Sequence, residues 1–209
     1  MRLKTLDARL RAAYDLIDAC QAYADIGADH GFLPLRLVSD GKVSLPVVTD
    51  ISAPALQKAR ENFARHGYKA DFRVADGLDA IDCPMDFISI LGMGGDTMLD
   101  ILSAGRDKLF DAVLVLSPHT HLKKVRQGLH GLGYVFEKET LVLDGRRFYV
   151  VMRLKKGSAI YSEKEYALGP CLLESPPPLF KEYLLWQQKV LAASGSSDIN
   201  FVQEALTCL

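Results

Sequence analysis

Cysteine is scarce and poorly spaced for a structural role: Cys20, Cys83, Cys171 and Cys208 stand far apart, with no CxxC pair. Neither a zinc site nor a disulfide framework is indicated, and the thiols read as buried or incidental in a reducing compartment. Long apolar runs are missing too. No stretch approaches the about 18 to 20 apolar residues of a membrane span, and the opening MRLKTLDARLRAAYDL alternates charge with apolar side chains. The expectation is a soluble cytoplasmic protein. Nor is there an excess of positive charge: 25 Lys and Arg face 26 Asp and Glu, a net charge of -1. The chain has no strong overall field for a polyanion, so a nucleic-acid partner must be met by a local basic patch. Internal repeats are absent, and low complexity is confined to Ser175-Pro176-Pro177-Pro178.

What is present suits one domain of ordinary size with a small addition: 209 residues, 49% hydrophobic and 24% charged. Leu3, Leu6, Leu10, Tyr14 and Ile17 recur every three or four residues, which predicts an amphipathic helix whose other face carries Arg2, Lys4, Arg9 and Arg11. Short apolar runs follow at 22–26, 45–50, 70–74, 85–91 and 112–117, separated by helical patterns around 31–39, 54–66, 95–106 and 121–132. Such alternation predicts an α/β fold with a parallel sheet, because parallel neighbours need a crossover helix. After Gly133 the rhythm changes to two strand-like runs around Asp144-Gly145, a hairpin signal. A doubly wound, Rossmann-like sheet closed by an antiparallel hairpin is the arrangement of class I methyltransferases. From Lys155 the alternation stops. The expected division is a domain over 1–156 and a small helical C-terminal domain over 157–209, with the proline run as a rigid lead into a helix.

The strongest local signal is Asp25-Ile26-Gly27-Ala28-Asp29-His30-Gly31, at the end of the first strand. Ligands of open α/β sheets bind at the carboxyl ends of strands, where glycine permits a tight turn and close approach. A dinucleotide fingerprint would place a glycine where Asp29 stands, and this acid would repel a pyrophosphate. The same carboxylate would attract the ammonium or sulfonium of S-adenosylmethionine. Asp50 ends the second strand with Ile51 after it, about 23 residues beyond Gly27, near the spacing at which an acid receives ribose hydroxyls. An acidic helix start with Ser52 and Pro54 is the plainer reading of the same residues. Asp76-Gly77 falls beside the same crevice, suited to an adenine amino group or to an ordinary turn. Leu91-Gly92-Met93-Gly94-Gly95 closes the fourth strand nearly without side chains, leaving room for a flat ring against Met93, or for close helix packing. Cofactor contacts are therefore expected from Asp25, Gly27, Asp29, Asp50, Ile51, Asp76, Gly77, Gly92 and Met93. Asp29, His30 and Gly94 are the candidates beside the reacting base. His119 and His121 lack a third metal ligand at matching spacing, so no metal is expected. With Lys123, Lys124 and Arg126 they read as a polar rim able to meet phosphates.

Taken in order, these residues resemble the TrmK-type tRNA (adenine-22-N1)-methyltransferases. The resemblance rests on Arg9-Leu10-Arg11-Ala12, ADIGADHG at 24–31, TDI at 49–51, ADGL at 75–78, GMGG at 92–95, RFYVVMRL in the hairpin and GPCLLESPPPLFKEYL in the tail. It departs from the family where a Gln-Pro-Asn triplet is usual and Ser117-Pro118-His119 stands instead. The resemblance implies S-adenosylmethionine as cofactor, tRNA as partner and methylation of adenine N1; the sequence leaves the oligomeric state open, with a monomer favoured. A small-molecule methyltransferase and a non-catalytic nucleotide- or RNA-binding module are the alternatives.

Overall fold

The computed structural model describes residues 3–208. Its centre is a seven-stranded sheet of order β3-β2-β1-β4-β5-β7-β6. The strands are β1 (Tyr23–Ile26), β2 (Val47–Asp50), β3 (Asp71–Val74), β4 (Phe87–Leu91), β5 (Val113–Ser117), β6 (Tyr134–Asp144) and β7 (Arg147–Lys156). The first five are mutually parallel, while β7 runs antiparallel to β5 and to β6. Strand order reverses about β1, so the doubly wound sheet and its closing hairpin stand as the sequence predicts. All four residues of β1 are buried, as are four of the five in β4. Continuous burial is what parallel strands covered on both faces require.

Helices α1 (Ala8–Leu16), α2 (Phe32–Ser39) and α3 (Ala53–His66) cover one face. Ala12, Ala13 and Leu16 of α1 meet Leu33 and Leu37 of α2 over Tyr23, Phe87, Val115 and Val151, while Leu56, Ala59 and Phe63 of α3 pack on Val48. The other face carries a short 3-10 turn (Gly77–Ala80), α4 (Gly95–Ala104) and α5 (Leu122–Gly131). The tail adds α6 (Glu163–Leu168), α7 (Pro170–Glu174), α8 (Phe180–Ser194) and α9 (Ile199–Thr207), whose Leu168, Leu172, Tyr183, Leu184 and Val202 join the core on that face.

Two expectations need correction. The first helix starts at Ala8, because the Asp7 carboxylate accepts the Leu10 amide at 2.8 Å and caps it; Leu3 and Leu6 precede it, and Arg2 lies outside the described residues. Within the tail, Ser162 and Glu165 exchange a capping box that starts α6. Of the expected polar rim, His119, His121 and Lys124 stay exposed, but two members leave it. Arg126 is fully buried, its Nε donating to Glu139 at 2.9 Å, and Lys123 pairs with Glu163 and Asp198 of the tail.

Candidate active site

Because β1 to β4 are parallel and in register, the loops after them open along one edge of the sheet, at the point where strand order reverses. There lies a cavity of about 610 Å³, lined by Gly27 and Asp29 after β1, Asp50 and Ile51 after β2, Asp76 and Gly77 after β3, and Gly92 and Met93 after β4. Eight of the sequence-predicted residues thus share one space. A smaller adjoining cavity of about 100 Å³ holds Asp25, His30 and Phe32, with Gly27 and Asp29 in both. Gly94 lines neither; it is the residue before α4, where a Cβ would meet only Thr120 and Thr97 at ordinary contact distance.

The loops are tied to each other through one side chain. The Asp50 carboxylate accepts the Asp29 amide at 3.0 Å on one oxygen and the Ser52 amide at 2.8 Å on the other. It therefore orders the first loop, and Ser52 in turn caps α3. Asp29 sits at φ +47°, a left-handed conformation that aspartate tolerates better than most residues, and its side chain is exposed at the cavity mouth. Two glycines are required by their left-handed backbone, Gly27 at φ +69° and Gly92 likewise, and side chains there would also displace the movable ends of Met93 and Arg9. A side chain on Gly27 would collide with the Met93 methyl, and a Cβ on Gly92 (φ +79°) would lie 2.5 Å from Arg9 Nη1. Gly95 serves packing instead, since its Cβ would run into the Thr120 carbonyl; as glycine it lets α4 meet the loop before α5.

Beneath this surface Asp25 is buried, its Oδ1 accepting a short bond from Ser89 Oγ, which in turn lies 2.7 Å from the Tyr23 hydroxyl. Burial pushes the Asp25 carboxyl up to about 7; the Ser89 bond opposes this, the Asp50 charge adds to it, and Arg9 and the Tyr23 hydroxyl pull it back.

Arg9 is the charged site residue of most consequence that the sequence pattern did not place, and Ile101 joins the crevice wall unannounced as well. Placed on a solvent-facing stripe by periodicity, Arg9 instead lines both cavities. Its guanidinium donates to His119 Nε2 at 3.2 Å and lies 5.6 Å from the Tyr149 ring centroid. The His119 ring is tilted against Tyr149 at 5.4 Å. Burial, with Arg9 and Arg147 nearby, pushes the His119 imidazole below its usual range, consistent with a neutral ring that accepts from Arg9. The sequence signal was the Arg9-Leu10-Arg11-Ala12 segment itself, which periodicity alone could not aim at a cavity. His30 stacks on Phe32 with ring centroids 5.3 Å apart, beside the Asp29 carboxylate at 3.7 Å. His121 turns away to Asp96 at 2.8 Å.

Chemically, the crevice offers carboxylates, apolar walls from Ile51, Met93 and Ile101, the Arg9 cation, and backbone free of side chains. It suits a hydroxylated, partly aromatic ligand, and its lining among the described residues forms no cradle of cations for a polyphosphate. A family profile described as TrmK: tRNA (adenine(22)-N(1))-methyltransferase matches residues 23–200. The chain is 29% identical over 175 residues to the tRNA (adenine(22)-N(1))-methyltransferase of Bacillus subtilis, covering 82% of this chain and 74% of that one. A crystal structure of a Rossmann-superfamily protein from Streptococcus agalactiae superposes with TM-score 0.90 at 27% identity, covering 97% of this chain and 98% of that one. The fold is also that of M. capricolum TrmK, solved with S-adenosyl-homocysteine, at TM-score 0.82 and 23% identity over 98% of this chain and 96% of that one. With a profile spanning most of its length and a crevice of matching chemistry, the chain belongs to the TrmK family of tRNA (adenine(22)-N(1))-methyltransferases.

Proposed function

We propose that this crevice binds S-adenosylmethionine and that the protein methylates N1 of adenine 22 in tRNA, acting as a cytoplasmic monomer. The observation that carries the reading is the gathering of Asp29, Asp50, Asp76, Gly27 and Gly92 around one cavity at the reversal point of the sheet. The donor set fits the cofactor: acids for hydroxyls and an amino group, apolar walls for a ring, and an arginine for a carboxylate. When bound, S-adenosylmethionine supplies an electrophilic methyl group on a positively charged sulfur.

The chain's own residues then divide the work of binding and orientation. Asp50, already held by two backbone amides, keeps lone pairs for a ribose diol, while Ile51 offers a flat apolar wall. Asp76 suits the exocyclic amine of an adenine. Gly27 and Gly92 let backbone approach the ligand's middle, and Arg9 is placed to receive its carboxylate. Adenine N1 carries a free lone pair, so no residue has to remove a proton before attack; positioning is the main requirement. Charge passes to the base on methylation, and the exposed Asp29 carboxylate with the His30 ring beside it is suited to orient that base. The adenine must leave its stack to reach the crevice.

The test is incubation with labelled S-adenosylmethionine and bacterial tRNA, followed by digestion and identification of the labelled nucleoside. Labelled 1-methyladenosine, lost in Asp29→Ala, is expected. Cofactor binding with no label in RNA would overturn the reading in favour of a small acceptor or a binding role.

A further inference from the structure

The hairpin β6–β7 does more than close the sheet. Leu116 of β5 pairs with Met152, so β7, which starts at Arg147, overshoots the end of β5 by about four residues, roughly 13 Å at the rise of a strand. This overhang stands on the cavity edge. Successive side chains on it point to opposite faces: Tyr149 turns to Arg9 and His119, whereas Phe148 turns to α8. On the α8 side Phe148, Tyr183 and Trp186 form a cluster, with centroid separations of 5.6 Å for Phe148–Tyr183, 5.8 Å for Phe148–Trp186 and 5.9 Å for Tyr183–Trp186. Tyr183 is buried, but Trp186 is 41% exposed and stacked at 24° on Tyr183, and exposed Leu143 pairs in register with Phe148. The turn is built by Gly145 at φ +61° and carries exposed Arg146 and Arg147 against the single acid Asp144.

We propose that this face, Trp186 and Phe148 with the arginines of the turn, is a stacking platform for an unpaired nucleotide of the substrate RNA adjacent to the one that enters the site. The proposal rests on the tRNA reading above. Three observations select RNA over an apolar partner. The strand that carries Phe148 begins at a turn with two exposed arginines, Arg146 at its tip and Arg147 on the side of His119, and guanidiniums suit phosphates. It is continuous, through a single strand, with the wall of the candidate active site. And a chain with a net charge of -1 must confine its attraction for RNA to a local patch such as this one. A base stacked on indole while its phosphate meets Arg146 would hold the strand open across the hairpin tip, which helps keep the neighbouring adenine unstacked.

Trp186 is the chain's one tryptophan, so its emission reports the platform alone. Titration with tRNA should quench it and saturate at the concentrations that saturate methylation; S-adenosylmethionine alone should not. Trp186→Ala should raise the KM for tRNA roughly 5- to 150-fold, the range of base–aromatic stacking, with kcat and cofactor affinity nearly unchanged and Trp186→Phe largely restoring it. Arg146→Ser, at an exposed turn position, should weaken binding and reduce the salt slope by about one. Labelled 1-methyladenosine formed with unmoved emission and unmoved KM overturns the platform and leaves the reaction standing, as does a concentration-dependent dimer that buries Trp186. Absence of label in RNA overturns the reaction and the platform with it.

Discussion

Asp25 shows how a single residue carries a cost that the site can use. With a folded pKa of about 7 against about 3.9 for an unfolded aspartate, the native state holds this proton more tightly than the unfolded chain does. Stability from this group is therefore greatest at low pH, falls as pH rises between about 4 and about 7, and levels above. Between pH 5 and pH 8 the loss is about 2 to 3 kcal/mol. Asp25→Asn, which keeps an acceptor for Ser89, should remove this slope, so that urea denaturation at the two pH values separates mutant from wild type by that amount. Equal slopes would show that Asp25 does not titrate there. Residues at strand ends, such as Gly27, Asp29, Asp50, Asp76 and Gly92, were legible because the strand pattern already says where an α/β sheet puts its ligand. Arg9 was not, since its partner His119 is 110 positions away and its aim depends on how α1 docks.

At the scale of elements, β6 explains where simple alternation fails. Tyr134 and Phe136 are buried, which would put Lys138 and Thr140 inside; instead the register shifts between Phe136 and Lys138, and Glu139 and Leu141 face inward. One extra residue in a strand reverses which side chains face the core beyond it. The inward Glu139 then accepts from Arg126 Nε at 2.9 Å and from the Cys171 amide at 3.1 Å, while Arg126 Nη1 donates to the Tyr166 and Ala167 carbonyls. One buried pair thus ties α5 to β6 and to α6 and α7. Sequence could not reveal it, because a bulge is set by its partner strand and an arginine on a basic helix reads as solvent-facing. Arg126→Ala strands a buried carboxylate and should cost about 3 to 5 kcal/mol, measured by chemical denaturation, whereas replacing both partners with apolar residues of similar volume should recover most of it. A loss below about 1 kcal/mol in the single mutant would mean that water reaches Glu139.

The whole molecule gathers its chemistry on one edge because five parallel strands end there, and that much follows from the alternation of apolar runs in the sequence. How the tail relates to the sheet does not. The sequence changes rhythm at 157, yet Ala167, Leu168, Leu172, Phe180, Tyr183, Leu184, Val202 and Ala205 share one buried cluster with Leu114, Val150, Met152 and Leu154 of the strands. Polar composition between 155 and 165 marks an exposed connection, and exposure of a connection says nothing about what the following helices cover. Removing 157–209 would bare Phe136, Leu141, Val150 and Leu154 on the hairpin's inner face, an apolar area no small domain leaves open to water. We expect calorimetry of the full chain to give one transition, with calorimetric and van't Hoff enthalpies equal, and the 1–156 fragment to bind a hydrophobic dye and lose its sharp transition. Two separate transitions, with a fragment that keeps its cofactor affinity, would instead make the tail an independent domain resting on a sheet that is stable without it.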